Sequence, residues 1–273
     1  MDITILGTAA AEGWPASFCG CDICRGAREV GGKNIRSRAS VQFGPAHKID
    51  LPPDTWYHEA VIGADFSGLE HLFITHSHQD HWSPGYLEYL REPFAHDGPP
   101  RLSVYGTSAV IKHGVDELAS HGIKEGGHVV FTEIEPFDPI QAGEMTFTPI
   151  TASHMTNELC LCYVASDGAN TVLYASDTGW FPEETWEYLE SIRLDGVISE
   201  CTCGPNKCES YHLDFDHLFA MKERLENSGV ISADCVFVAT HFSHNVGFLH
   251  EELEHILNQR HIQVAYDGMR ISL

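Results

Sequence analysis

The chain has 273 residues, 43% hydrophobic and 20% charged, enough for one folded domain with an ample core, and no linker-like stretch divides it. Sixteen Lys and Arg stand against 39 Asp and Glu, a formal charge of -23 that repels long polyanions and argues against a nucleic-acid partner. No apolar run is long enough to cross a bilayer, and Met1 to Leu6 lacks the basic and cleavage regions of a signal peptide, so a cytoplasmic protein with no membrane partner is expected.

In chain order, Asp2 to Leu6 alternates polar and apolar residues before Gly7, which reads as a first strand and a turn. Cys19-Gly20-Cys21-Asp22-Ile23-Cys24 follows. Three thiols this close suit a compact zinc knuckle that draws a fourth ligand from elsewhere, with spare reduced thiols as the alternative. Between Arg25 and Arg38 an unusual share of the cations gathers, and Arg36 and Arg38 are candidates for a wall that recognises phosphate or carboxylate; a solvated loop is the plainer reading. Short β-like runs recur at 41–43, 48–51, 72–75 and 102–105, with helical patterns at 83–94 and 108–120. Strands are expected at 129–131, 145–150, 159–164 and 172–175, then a strand at 196–199, a helix at 214–227, a strand at 236–239 and a helix at 248–257. This order predicts an α/β (α+β) fold: two sheets packed face to face and covered by helices, a four-layer αββα sandwich.

The densest chemistry is Thr75-His76-Ser77-His78-Gln79-Asp80-His81, directly after Leu72-Phe73-Ile74. Alternate side chains of an extended segment share a face, so His76 and His78 can grip one ion, while Asp80 and His81 can face a second where the chain turns. Imidazoles with one carboxylate suit zinc, manganese or iron better than calcium or magnesium. Three later apolar runs also empty into a His or Asp: Met145 to Ile150 before His154, Val172 to Ala175 before Asp177, and Val236 to Ala239 before His241.

The H-x-H-x-D-H run and these strand ends resemble the metallo-β-lactamase superfamily. The resemblance implies that fold over residues 1–273 and two divalent metals, zinc or manganese. It assigns His76, His78 and His154 to one ion, Asp80, His81 and His241 to the other, and Asp177 to the bridge between them. It further implies a metal-bridging hydroxide as nucleophile and a catalytic part for Asp80. The cysteine cluster, paired with Thr240-His241-Phe242-Ser243-His244, is similar to the PhnP-type phosphoribosyl cyclic phosphodiesterases of the carbon-phosphorus lyase pathway. That likeness implies a structural zinc on Cys19, Cys21, Cys24 and His244, a homodimer, and a small anionic substrate, a cyclic phosphate ester such as 5-phosphoribosyl 1,2-cyclic phosphate. His212, just ahead of a helix capped by Asp214, stands in a context where that branch carries a histidine that touches the phosphate and assists the leaving group; a bystander beside the cap is the alternative. Asp50 is expected to orient a ligating imidazole, and Pro52 and Pro53 to reshape the turn after it. Cys201, Cys203 and Cys208 read as thiols packed around a strand end, with a metal site or redox pair as the alternative. Competing functions are a hydrolase of lactones or thioesters on the same centre, or a non-catalytic metal-binding protein of a cofactor pathway.

Overall fold

The computed structural model describes residues 1–96, 101–123, 127–208 and 210–273. Its first sheet holds β1 (Asp2–Gly7), β2 (Ser40–Phe43), β3 (His47–Ile49), β4 (His71–Phe73), β5 (Leu102–Gly106) and β6 (Val129–Glu133). The second holds β7 (Ile140–Ala142), β8 (Met145–Thr151), β9 (Leu161–Ser166), β10 (Thr171–Ala175), β11 (Leu194–Glu200), β12 (Ile231–Thr240) and β13 (Gln263–Val264). The chain then returns to the first sheet, where β14 (Met269–Ser272) pairs with β1. The strand orders are β14-β1-β2-β3-β4-β5-β6 and β13-β12-β11-β10-β9-β8-β7. Each sheet joins three consecutive antiparallel pairings to three consecutive parallel ones, so the two halves share a plan that their sequences do not advertise.

Alternation along the strands builds the layers. Phe73 of β4 and Tyr174 of β10 face the gap between the sheets, where Phe43, Phe147 and Tyr163 pack with them. Their neighbours Leu72 and Leu173 point outward. Outside the first sheet, Leu72, Val104 and Val129 meet Trp82, Leu87 and Leu118; outside the second, Leu173, Val197 and Phe237 meet Trp186, Met221 and Leu253. Two sheets with an apolar layer on each face need helices on both outer sides, and the four layers follow.

The helices are α1 (Asp22–Val30), α2 (Thr55–Tyr57), which continues as a π turn over His58–Ile62, α3 (Ser108–Ser120), α4 (Glu183–Glu190), α5 (Phe215–Asn227) and α6 (His250–Leu257). The helix expected at 83–94 is a 3₁₀ run, Pro84–Leu90. Pro84 opens it, Gly85 favours no α-helix, and Pro93 cannot donate a hydrogen bond to extend it. Pro52 and Pro53 turn the chain after Asp50 into α2, where Thr55 donates to the Pro52 carbonyl through both its amide and its hydroxyl. Among the described residues no helix is long and apolar enough to cross a membrane.

Candidate metal centre

The ends of β4, β8, β10, β11 and β12 deliver loops to one edge of the sandwich. The loop after β4 brings His76, His78, Asp80 and His81; β8 leads to His154, β10 to Asp177 and β12 to His241. These side chains form two clusters that share Asp177. Nε2 of His76 lies 2.9 Å from Nδ1 of His78, and Nε2 of His154 lies 3.4 Å from the same nitrogen. In the other cluster Nε2 of His81 is 2.6 Å from Asp177 Oδ2 and 3.3 Å from Asp80 Oδ2, and Nε2 of His241 is 3.0 Å from Asp177 Oδ1. Asp177 Oδ2 also comes within 3.5 Å of His76 Nε2, so one carboxylate touches both groups.

In His76, His81, His154 and His241 the inward nitrogen is aimed by a bond at the other side of the ring. His81 donates from Nδ1 to Asp50 Oδ2 at 2.7 Å, and Asp50 also accepts from the amide and hydroxyl of Thr75. With that hydroxyl turned to Asp50, His76 Nδ1 donates to its oxygen at 3.0 Å. His154 donates to the Tyr211 carbonyl at 3.0 Å, and His241 to Thr202 Oγ1 at 2.8 Å. This is the outer support a metal site needs, since it fixes tautomer and ring direction together. Asp50, Asp177, Tyr211 and His241 all adopt positive φ, at 64°, 49°, 74° and 55°. Four non-glycine residues in the left-handed region around one site are strain tolerated for placement.

The residues fit a pair of cations. Nε2 of His81, Nε2 of His241 and Oδ1 of Asp177 are buried with no hydrogen-bond partner, and the bare nitrogens of His76 and His78 face one another. Burial should push the Asp177 carboxyl up, yet His241 and His81 hold it well below its usual range. Burial depresses the His76 imidazole, which keeps it in the neutral form that ligates. Donors of this kind suit zinc or manganese.

A second cluster joins Cys19, Cys21, Cys24 and His244, whose ligand atoms lie within 4.8 Å of one another. His244 Nδ1 is 3.5 Å from Cys21 Sγ and 3.9 Å from Cys19 Sγ. Cys21 caps α1 and accepts from the Cys24 amide, a bond that leads in lowering its thiol to about 6. Burial lifts Cys24 to about 11. Three sulfurs and one imidazole nitrogen are a tetrahedral zinc set. The knuckle loop is tied to the strand that supplies His241: Ala10 donates to the Phe242 carbonyl at 3.1 Å, and Ser243 Oγ donates to Glu12 at 2.6 Å.

His212 stands over the shared edge. Its ring centre is 4.9 Å from that of His154, and its Nδ1 donates to Glu200 Oε1 at 2.7 Å. Burial would lower this imidazole, but Glu200 and then Asp177 lift it to about 9. Sequence reading missed Glu200, which is fully buried at the end of β11 and also accepts from the amides of Thr178, Thr202 and Leu213. A signal existed: Glu200 ends an apolar strand just as Asp177 and His241 follow theirs.

The arginines are corrected. Arg36 is not a substrate contact: it is buried, donates to Thr8 Oγ1 and the Ala265 carbonyl, pairs with His250 Nδ1 at 2.8 Å, and lies against Trp14 and Phe242. Arg38 is bound to Asp54 at 2.9 Å and to the Ala11 carbonyl, so its charge is matched within the protein. Cys201 is buried and Cys203 and Cys208 half-buried around the end of β11; among the described residues they join none of the metal-capable clusters.

A family model described as a β-lactamase superfamily domain matches residues 52–242. The chain belongs to the metallo-β-lactamase superfamily. No curated protein matches this superfamily member by sequence. Its fold is similar to that of a diphosphatase from the PhnP family, at 20% identity and TM-score 0.77, over 99% of this chain and 96% of that one. It is also similar to Zn(2+)-bound PqqB from Methylobacterium extorquens, at 14% identity and TM-score 0.76 over 100% of both chains. Human tRNase Z, short form, matches at 16% identity and TM-score 0.70, over 100% and 99%. As a member of this superfamily the protein is a metal-dependent hydrolase.

Proposed function

We propose that the protein is a phosphodiesterase acting on a small cyclic phosphate ester such as 5-phosphoribosyl 1,2-cyclic phosphate. The observation that carries this reading is His212: pinned through Nδ1 by Glu200 and set beside His154, it has Nε2 left to give a proton. An alkoxide is a poor leaving group and needs that proton, whereas a thiolate departs without one, so the arrangement favours esters that release an alcohol. Among those, phosphoryl chemistry is favoured by the fold relatives named as a diphosphatase and as tRNase Z.

His76, His78 and His154 would hold one ion, Asp80, His81 and His241 a second, and Asp177 both. When bound, the two ions would polarise the phosphoryl oxygens and acidify a water between them. The chain itself does the rest. Asp50 and Thr202 keep His81 and His241 from turning; Glu200 keeps His212 protonated and aimed, so that the proton leaves Nε2 for the departing oxygen. The charge of -23 restricts the substrate to a small anion that reaches the cations within the site, against a long polyanion held on the surface.

Phosphorus NMR tests the reading. Manganese-loaded protein should open the cyclic ester, while Asp80→Ala, treated alike, should leave it intact. An ester that survives in the presence of fully loaded wild type would overturn it.

A further inference from the structure

Glu158 takes no part in the chemistry above, yet it holds the metal loop between two of its ligands. Its carboxylate accepts from the Ser77 amide through Oε1 at 2.8 Å and from the Ser77 hydroxyl through Oε2 at 2.5 Å. Ser77 stands between His76 and His78, and Glu158 lies in the loop from β8 to β9 that also carries His154. Two segments that meet at one cluster are thus tied together across 81 residues of sequence. Both oxygens are committed to neutral donors, and hydrogen bonds to a charged carboxylate are roughly twice as strong as neutral ones. The tie is not needed to join the strands beneath, because the Leu161 amide donates to the Thr75 carbonyl at 2.9 Å and the Tyr163 hydroxyl to the Ile74 carbonyl at 2.7 Å.

His78 is the ligand that needs such a hold. His76 is aimed by Thr75 and His154 by the Tyr211 carbonyl, each through the far nitrogen of its ring. His78 instead turns Nδ1 into the cluster, 2.9 Å from His76 Nε2 and 3.4 Å from His154 Nε2, and among the described residues nothing bonds to its own Nε2. Nδ1 lies nearer the main chain than Nε2 does, so the backbone of His78 carries the ligand atom with it. After His78 that backbone is fixed, since its carbonyl accepts from the amides of His81 at 3.0 Å and Trp82 at 2.8 Å. Before His78 the hold is Ser77 on Glu158. We infer that Glu158 is a positioning residue: by gripping Ser77 it sets His78 against His154, and so governs affinity for the ion assigned to His76, His78 and His154 alone. The other position does not depend on it, because Asp80, His81, Asp177 and His241 are buried and Asp50 and Thr202 aim its two imidazoles. The role is the same whichever ester is cleaved, so it stands apart from the phosphodiester reading.

Manganese binding, measured by equilibrium dialysis on protein freed of active-site metal and with no substrate present, tests this. The wild type should take up two manganese ions. Glu158→Ala should weaken one of them by about 10- to 100-fold and leave the other unchanged. Glu158→Gln should restore the wild-type curve, because the glutamine oxygen can accept from the Ser77 amide while the Ser77 hydroxyl turns to accept from the glutamine nitrogen. Ser77→Ala keeps the backbone bond and loses the other, so it should weaken the same ion less, and should add nothing to Glu158→Ala when the two are combined. It also serves as the second variant should Glu158→Ala unfold, and circular dichroism checks each protein. Equal weakening of both ions, or of neither, overturns the inference. So does a Glu158→Gln protein as weak as Glu158→Ala, since the effect would then belong to the charge and not to the grip on Ser77.

Discussion

Glu200 holds four groups with two oxygens: one oxygen accepts from His212 and the Thr178 amide, the other from the Thr202 and Leu213 amides. A neutral amide cannot do the same, since its nitrogen would face backbone donors. Glu200→Gln is therefore predicted to cost about 1–3 kcal/mol of stability and to lower kcat by about 10²- to 10³-fold with KM little changed, read from steady-state kinetics and urea unfolding. Asp50 acts through His81 directly and through Thr75 on His76, and Asp50→Asn should weaken metal affinity by about 10- to 100-fold in a chelator competition. The cluster of candidate ligands was legible in the sequence because metal chemistry demands particular residue types at strand ends, and the short spacing from His76 to His81 is local. Glu200 was not, because its role is set by amides from three separate segments. Arg36 misled for a related reason: a guanidinium in a basic stretch looks the same in sequence whether it faces solvent or sits buried against Trp14 and Phe242.

Elements show where periodicity informs and where it does not. Helices α3 and α5 bury regular apolar stripes and end where the sequence places them. By contrast α1 buries only Cys24 and Ala27, too little to leave a stripe, and β13 is two residues long. Packing fixes one glycine of α3 against its helix propensity. A Cβ on Gly114 would lie 2.7 Å from the Phe131 ring and 2.9 Å from Trp82. Although alanine favours a helix by about 1 kcal/mol, Gly114→Ala is predicted to destabilise by about 1–3 kcal/mol in urea unfolding, because the clash is with rings in a filled layer. The knuckle is an element of the same kind, a local staple with a distant effect. Cys21→Ser should lose one zinc per chain by metal analysis and also loosen the active-site metals, since Ala10 and Glu12 would no longer hold Phe242 and Ser243 in place. Active-site affinity that survives loss of the knuckle zinc would show that the staple does not support His241.

Across the whole molecule, the four layers followed from alternation and element order, while the repeated plan of the two sheets stayed hidden, because pairing direction is a property of connections rather than of residues. One polar chain links distant parts: buried Arg36 from the N-terminal region pairs with buried His250 of α6, which reaches Glu254 and, through it, Lys33 at the surface. Burial, then the neighbouring Arg36 charge, holds the His250 imidazole down at about 4, against an ordinary 6.5. An imidazole lowered on folding contributes stability above its unfolded value and loses it as pH falls through the folded one, so the wild type should lose up to about 3 kcal/mol between pH 6.5 and 4 from this residue. His250→Gln should show a shallower loss over the same range, and identical pH profiles would remove the residue from the account. The claim on which the rest depends is the reaction itself. Its most direct measurement is kcat/KM of the metal-loaded wild type for a cyclic phosphate ester, a lactone and a thioester side by side. The account predicts that the phosphate ester leads by at least about 100-fold, with His212→Asn reducing it by about 10²- to 10⁴-fold. A lactone or thioester in the lead would contradict it.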